Sequence, residues 1–238
     1  MNTIMNLDLM AKELSERHDD TPLDWSNRVF KDMNLVGWDL NNIDFTGSDF
    51  TNVILDNVNL DHSNLHKTWF TDCSMRDAKL TNADVTEAGM RSLDLSGSDF
   101  SGSNFHCTLF EYAILDNIVD DENTKYYRMV CPEEGPFIAW KCCTEWRVVQ
   151  LLVPADARRV SATGDTCRCD KAKVLSIKSI DESITYTWAQ STVDPDFYYE
   201  VGKWVEPANG FEPDRWMDSS AGIHFFMKRE QCVAYQTV

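Results

Sequence analysis

Two close pairs of cysteines are the residues in this chain best suited to bind a soft metal ion. Cys167 and Cys169 are separated by one residue, and Cys142 is followed directly by Cys143. Structural zinc sites usually separate their paired cysteines by two or more residues and often add histidine. Neither pair has this spacing, and the only histidine further along the chain is the distant His224. We therefore predict no metal site and no other cofactor.

A basic segment from residue 158 to residue 178 has the composition of an anion-binding site. It holds six cationic and two acidic side chains, with small hydroxyl residues and a glycine among them. Two interpretations stay open: a solvated turn between charged strands, or a cradle for a phosphate-bearing ligand. ATGDT is not a P-loop, because no Gly-Lys-Ser/Thr follows it. The candidate ligand-binding residues here are Arg158, Arg159, Thr163, Arg168 and Lys171.

His224 lies in the apolar segment GIHFF and is the sixth candidate ligand-binding residue. A lone histidine in such a strand is more often a hydrogen-bonded core residue than a catalyst. No nucleophile with a neighbouring general base can be recognised in the sequence. We therefore assign no catalytic residue and favour a non-enzymatic protein. The alternative is a nucleotide-binding or phosphate-binding domain in residues 126–238, possessing or lacking enzymatic activity.

The first half of the chain has a period of five residues. From Phe30 to Leu115 every fifth residue is large and apolar, through eighteen successive positions. A strand has a side-chain period of 2 and a helix a period of 3.6, so neither element explains the pattern. The residue two places earlier is mostly small or β-branched, and the residue between them is often Asp or Asn. These short polar residues suit tight turns.

Units such as SDFTN, SNLHK, ADVTE and SDFSG resemble the pentapeptide repeat family. The resemblance covers residues 26–118 and implies a mainly β fold, a right-handed quadrilateral β-helix of about 4.5 coils. Residue i then stacks on residue i+20, with the large and small residues inside and the remaining residues free to bind a partner. Arg28, Met33, Trp38 and Leu93 depart from the pattern, because they put large side chains at small positions.

Residues 1–25 are predicted to form a helical cap over the open end of this core. Leu7, Met10 and Leu14 have helical spacing between Asn6 and Arg17. The N-terminus lacks a basic region followed by an apolar block, and no stretch approaches the ~20 apolar residues that cross a bilayer. These features predict eight reduced cysteines and a cytoplasmic location in a host cell.

The charge of the chain favours a basic partner. The net charge is −17, which discourages direct contact with nucleic acid or anionic membranes. Residues 26–118 hold six basic and fourteen acidic side chains. Some relatives in the pentapeptide repeat family are gyrase inhibitors that imitate DNA, so the resemblance raises DNA mimicry. We predict an inhibitor of a host protein with a basic surface, and homo-oligomers are compatible with this. The candidate partner-binding residues are Asp56, Asp61, Asp72, Asp77 and Glu87.

The period of five ends after Leu115, and the polar residues 119–130 are predicted to be a linker. Residues 126–238 are predicted to form a small α+β domain dominated by antiparallel strands. The predicted strands are 136–142, 147–153, 171–177, 184–190, 197–205 and 222–226, and residues 228–235 are predicted to be helical. Segments such as YYEVGKWVEPANGFEPDRW and GIHFFMKREQCVAY resemble a module of phage and large-virus proteins. The resemblance implies a viral setting but no particular activity.

Overall fold

The computed structural model describes residues 3–17 and 21–237. The chain divides into two compact units, Met1–Arg128 (unit 1) and Met129–Val238 (unit 2). The described residues are mainly β. Five residues of the predicted N-terminal cap, residues 1, 2 and 18–20, lie outside them. No described helix is both long and apolar enough to span a bilayer.

The described residues of unit 1 form one helix and six short parallel strands. The elements are β1 (Thr3–Ile4), α1 (Leu7–Glu16), β2 (Leu23–Asp24), β3 (Arg28–Asn34), β4 (Ile43–Asp44), β5 (Asp49–Ile54) and β6 (Trp69–Thr71). In the sheet β1-β3-β5-β6, Phe30 pairs with Phe50 and Phe50 with Phe70. Their rings also stack, with centroids 4.4 Å and 5.1 Å apart. The predicted stacking of residue i on residue i+20 is therefore confirmed.

The twenty-residue register continues beyond the strands through isolated parallel bridges. One column runs from Asp39 to Val119 and a second from Asp44 to Asn104, each in steps of twenty residues. Two further columns contain Ile54 to Ile114 and Trp69 to Leu109 with the same step. The starting points differ by multiples of five residues and not by twenty, so successive pentapeptides fall in four different columns.

The interior of unit 1 matches the pattern of the sequence. Seventeen of the eighteen large apolar positions are buried, and only the last, Leu115, is half-buried. The hydroxyls at the small positions link neighbouring repeats, because each donates to the carbonyl oxygen 23 residues earlier. Ser48 Oγ bonds to the oxygen of Trp25 at 2.8 Å, and Thr108 Oγ1 to that of Val85 at 2.7 Å. The small residues of the interior are therefore either apolar or carry a hydroxyl that donates to a backbone carbonyl oxygen.

Every fifth residue lies in a tight turn of the chain, and these positions are the corners of the repeat. All nineteen positions from Asn27 to Asn117 have a φ between 51° and 76°. This left-handed conformation favours Gly, Asn and Asp, which occupy most of these positions. Where Asp or Asn precedes a large residue, its side chain in most cases accepts the backbone N–H two residues later, as Asp44 does from Thr46 at 2.9 Å. The predicted role of these residues in tight turns is confirmed.

The pairing extends beyond the predicted repeat at both ends. Leu23 pairs with Ile43 and the Trp25 indole is buried beside Phe45, so the register already holds before residue 26. At the other end Asn104 pairs with Lys125. This step is twenty-one residues instead of twenty, so one residue is inserted before the pairing resumes. Residues 119–125 of the predicted linker are thus hydrogen-bonded to the last repeats.

The N-terminal helix begins at the predicted place, with Asn6 as its N-cap. Its Glu13 carboxylate accepts from the Trp25 indole at 2.5 Å and from Arg28 at 3.1 Å, so Arg28 packs against the segment that precedes it. The helical spacing of Leu7, Met10 and Leu14 is confirmed, and of these Met10 is buried whereas Leu7 is exposed. It occupies the first position of the helix, where the chain has only just left the edge strand β1.

Unit 2 is built on an antiparallel sheet. Its elements are β7 (Phe137–Cys143), β8 (Arg147–Val153), β9 (Arg159–Ser161), β10 (Thr166–Cys169), β11 (Ala172–Ser179), β12 (Thr185–Tyr186), β13 (Trp188–Gln190), β14 (Tyr198–Glu200), β15 (Trp204–Val205), β16 (Ile223–Phe226) and α2 (Arg229–Thr237). The strand order is β12-β11-β8-β7-β16-β10-β9, with β15 also paired to β11. Strands β13 and β14 form a separate hairpin.

Four of the six predicted strands of unit 2 are continuous and two are divided. The predicted strand 184–190 breaks into β12 and β13, and the strand 197–205 breaks at Gly202, whose φ is 84°. The hairpin of β9 and β10 was not predicted. It occupies the basic segment, whose alternating charged residues masked the strand pattern.

Candidate functional site

Two of the predicted partner-binding carboxylates are neutralised within unit 1. Asp56 is buried and binds Arg76, which lies twenty residues, or one repeat turn, later in the chain. Its carboxylate accepts from Arg76 Nη2 at 2.6 Å, from Nε at 3.1 Å and from the backbone N–H at 3.0 Å. Burial opposes ionisation, but these bonds outweigh it and lower the pKa of Asp56. A carboxylate held in this way contributes structure and little attraction for a partner.

Asp61 is held by several donors at once. Its carboxylate accepts from the Thr81 hydroxyl and lies 3.2 Å from Lys79 Nζ and 3.1 Å from His62 Nδ1. Burial raises the pKa of Asp61, but the bonds from Thr81, Lys79 and His62 outweigh it and lower the pKa to about 2. Asp61 therefore belongs to the same class of internally paired carboxylates as Asp56.

The acid stability of unit 1 should depend on the donor at position 81. The depressed pKa of Asp61 contributes stability that is complete above the unfolded value of ~3.9 and is lost as the pH falls toward 2. Thr81→Val should raise the pKa of Asp61 in an NMR titration and move the acid-unfolding midpoint to higher pH. Thr71→Val, at the equivalent position on another side, is the control and should change neither. An unchanged Asp61 titration in Thr81→Val would contradict this assignment.

Asp72, Asp77 and Glu87 are exposed. Glu87 lies 3.4 Å from Lys67 Nζ. Asp72 and Asp77 occupy successive corners of one repeat turn, each with a φ of 53°, and neither has a cationic partner within 4.0 Å among the described residues. Of the predicted partner-binding set, these two are the carboxylates best placed to attract an external cation.

The carboxylates of the whole repeat divide in the same way, into those paired with an internal cation and those without one. Five of its six cations, all but Lys31, form ion pairs with carboxylates inside unit 1. Of its fourteen carboxylates, five lie within 4.0 Å of a cation. The other nine have no such partner in the described part of the chain. They are Asp32, Asp44, Asp49, Asp72, Asp77, Asp84, Asp94, Asp99 and Asp116. The exterior of the repeat thus keeps a net negative charge.

The predicted ligand-binding residues of unit 2 do not form one site. Two of them, exposed Arg158 and partly exposed Lys171, form ion pairs with Asp170 at 2.8 Å and Asp156 at 2.6 Å. Arg168 pairs with His224 across β10 and β16, whereas Arg159 pairs with Cys169 across β9 and β10. Because neighbouring residues of a strand point to opposite faces, Arg159 lies on the face opposite Arg168 and His224.

Both buried arginines are bound to backbone carbonyls. The Arg159 guanidinium donates to the oxygens of Gly135, Pro154, Ala155 and Ala157 at distances between 2.6 and 3.0 Å. Arg168 donates to the Asp214 oxygen at 2.9 Å and to the Ser220 hydroxyl, and burial lowers its pKa. Thr163 is buried as well. The two guanidinium groups hold loops in place, and their donors face protein groups.

His224 has the character of a core histidine. Its Nε2 lies 2.8 Å from the carbonyl oxygen of Ser220. Burial lowers its pKa more than the Ser220 bond raises it, so the ring is neutral at pH 7. The backbone oxygen of His224 accepts from Lys141 Nζ at 3.1 Å. Lys141 is a buried lysine that the sequence analysis missed, and burial lowers its pKa.

The cysteine pairs lie in hydrophobic surroundings. Burial raises the pKa of Cys143 and of Cys169 to about 12, so both thiols are protonated at neutral pH. Thiolates, rather than thiols, bind metal ions. In the part of the chain that the structure describes, no three His, Cys, Asp or Glu side chains are grouped to hold a metal ion.

An aromatic cluster in unit 2 was also missed by the sequence analysis. The Arg147 guanidinium is sandwiched between the rings of Tyr186 and Trp188, at 4.3 Å and 4.4 Å from their centroids. Trp188 also contacts Tyr198, with centroids 5.8 Å apart. The alternation of polar and aromatic residues in TYTW was the available signal, since every second residue of a strand lies on one face.

The turn beside this cluster is conformationally costly. Glu145 and Trp146, between β7 and β8, have φ values of 56° and 58°, and the Arg147 N–H bonds to the Thr144 oxygen at 3.3 Å. Two central residues with positive φ are typical of a type I′ turn, which favours Asn-Gly. Each non-glycine residue there costs roughly 1 kcal/mol. The strained turn nevertheless keeps a tryptophan exposed at its tip.

Comparisons with known proteins agree with the two-part division. Residues 43–118 match a pentapeptide repeat region. Residues 127–232 match a family of unknown function, DUF5758. No curated protein matches the chain.

Several solved structures are similar to part of the chain. HetL from Nostoc sp. strain PCC 7120 is 21% identical over 40% of this chain and 39% of its own, with a TM-score of 0.28. A thylakoid-lumen protein of Arabidopsis thaliana is 17% identical over 39% of this chain and 58% of its own, with a TM-score of 0.24. Rfr23 from Cyanothece 51142 is 17% identical over 48% of this chain and 97% of its own, with a TM-score of 0.20. All three are pentapeptide repeat proteins, and the chain spans about two fifths of HetL.

Proposed function

We propose that this protein is a non-enzymatic binding protein whose pentapeptide repeat unit attracts a basic surface on a partner protein. One observation carries the proposal: the repeat uses nearly all of its cations in internal ion pairs and leaves nine carboxylates without them. Fixed charges on an ordered backbone attract a partner without the entropic cost of arranging flexible side chains.

The scaffold in this proposal is a right-handed quadrilateral β-helix of about 4.5 coils. The twenty-residue register in four columns and the corner at every fifth residue support it. Coils stack at ~4.8 Å, so Asp32 and Asp72, two coils apart in one corner column, lie roughly 10 Å from each other. Asp77 occupies the next corner beyond Asp72. These three corner carboxylates form the proposed partner contact.

The resemblance of unit 2 to phage and large-virus modules supplies the setting of the proposal. In that setting the partner is a host protein, either a DNA-acting enzyme or a component of antiviral defence, and the protein inhibits it. The alternative function, binding of a phosphate-bearing ligand by unit 2, has less support. The four cations proposed for it bind protein groups, and two of them lie on opposite faces of the sheet.

The test is affinity capture from host lysate with three forms of the protein, followed by mass spectrometry. In the first variant Asp32, Asp72 and Asp77 become Lys. We expect it to fold normally, since Lys67 already occupies an equivalent left-handed corner with a φ of 56°. It should lose the partner, with affinity reduced about tenfold or more because attraction becomes repulsion. Asp56 and Asp61 are left unchanged, because reversing them would break internal ion pairs.

The matched control reverses three exposed carboxylates of unit 2, Glu133, Glu134 and Glu206. Both variants change the net charge of the protein by the same amount. Capture of one protein by the wild type and the control, but not by the corner variant, supports the proposal. Equal capture by the corner variant would contradict it. Equal loss in both variants would also contradict it, because the partner would then respond to the net charge of the protein and not to the corner carboxylates.

A further inference from the structure

The segment 184–201 of unit 2 combines aromatic residues with carboxylates and lacks any cation. It contains five aromatic residues and three carboxylates, and no Lys, Arg or His. Two of the aromatic residues, Tyr186 and Trp188, lie against Arg147, and Tyr198 contacts Trp188. The exposed Trp146 directly precedes Arg147 at the tip of the strained turn. The aromatic patch is defined as Trp146, Tyr186, Trp188 and Tyr198. Glu200 pairs with Trp188 across the hairpin of β13 and β14, and Asp194 and Asp196 lie in the loop that joins these two strands.

We propose that this patch binds an arginine-bearing segment of a partner protein, with the guanidinium stacked on the outer face of Trp188. The inner face of that ring already carries Arg147, whose guanidinium lies 4.4 Å from the ring centroid. Trp188 as a whole residue is nevertheless 44% exposed. Planar guanidinium groups stack on aromatic faces better than a compact ammonium does. The surface thus binds a guanidinium internally and offers the same chemistry to solvent.

The charges around Trp188 favour an external cation. Glu200 is its direct cross-strand neighbour and is exposed. Arg147 repels such a cation little, because its guanidinium forms an ion pair with Glu145. Tyr198 is oriented beside the ring, since its hydroxyl accepts from Gln190 Nε2 at 3.2 Å. A guanidinium on Trp188 therefore meets an aromatic neighbour and a carboxylate at once.

The site lies in unit 2, and it is independent of the carboxylates of the repeat. Two peptides of equal charge separate the two modes of binding, acetylated and amidated Arg-Gly-Arg-Gly-Arg-Gly and its lysine counterpart. The acidic repeat attracts both equally, whereas stacking on Trp188 favours arginine. Titration into the full chain, followed by isothermal calorimetry, should give about fivefold tighter binding of the arginine peptide.

Three variants locate the site. Trp188→Ala and Glu200→Lys should each remove the preference for arginine. Trp146→Gly should weaken binding of the arginine peptide and raise the melting temperature, because glycine suits the left-handed turn. Its added stability excludes misfolding as the cause. Trp204→Ala removes an exposed tryptophan outside the patch and should bind like the wild type.

Two results would overturn the proposal. One is equal affinity for the two peptides, with binding lost only when Asp32, Asp72 and Asp77 are reversed. The other is binding of a neutral oligosaccharide, with maltohexaose as the probe, that depends on Trp188 while the arginine peptide does not bind. The second result would assign the patch to a carbohydrate.

Discussion

Leu60→Asp is expected to unfold unit 1. Leu60 is buried in one of the four columns, and its N–H donates to the Lys79 oxygen of the next repeat turn at 2.7 Å. The substitution removes apolar contacts and places a carboxylate where no cation can reach it. The combined cost is about 4 kcal/mol or more, a large part of the stability of an ordinary domain. Circular dichroism during urea unfolding should show a loss of the transition or a much lower midpoint.

Asn57→Asp is the matched control, because Asn57 is exposed at the corner three residues earlier. Aspartate is tolerated in the left-handed conformation, so the free energy of unfolding should change by less than ~0.5 kcal/mol. Similar tolerance at Leu60 and Asn57 would contradict the inward and outward assignment of the whole repeat.

Arg159→Ala should have the second largest effect. The guanidinium is 7% exposed and donates to four backbone oxygens. Its removal takes a donor from each of those oxygens, although the Pro154 oxygen keeps the Ala157 N–H at 3.1 Å. It also opens a cavity, and the combined cost is roughly 3–5 kcal/mol. The melting temperature of unit 2 should fall by many degrees in a calorimetric scan.

Arg158→Ala separates this structural role from a ligand-binding one. The Arg158 side chain is 63% exposed and forms a surface ion pair with Asp170, and such pairs contribute about 0–1 kcal/mol. Its loss should leave the melting temperature nearly unchanged. If Arg159→Ala proved equally harmless, the guanidinium would be available for a ligand and the structural assignment would be wrong.

The interior of unit 1 was predictable because each core residue is repeated every five positions. Three of the internal ion pairs were predictable too, although they were not predicted. Asp56 and Arg76, Lys67 and Glu87, and Arg91 and Glu111 are each separated by twenty residues and carry opposite charges. In a repeat with that register they must be neighbours. Testing each outward carboxylate for a cation twenty residues away would have removed Asp56 and Glu87 from the candidate set.

Unit 2 has no sequence repeat from which its residue contacts could be predicted. The burial of Arg159 and Arg168 depends on loops that are distant in sequence, such as Gly135 and Asp214. Their charge suggested exposure and ligand binding, and only the tertiary structure shows that carbonyl oxygens satisfy them. The position of Arg147 between two rings has the same origin, since Tyr186 and Trp188 are brought to it by the strands β12 and β13.

The salt dependence of partner binding tests the central claim most directly. Exposed charges are screened beyond ~8–10 Å at physiological ionic strength. The dissociation constant of the captured partner should therefore rise steeply between 50 and 300 mM NaCl, approximate limits set by that screening length. The variant with Asp32, Asp72 and Asp77 changed to Lys should bind weakly at low salt and lose this dependence. An affinity that is flat with salt, or equal in the wild type and the variant, would contradict binding through the unpaired carboxylates of the repeat.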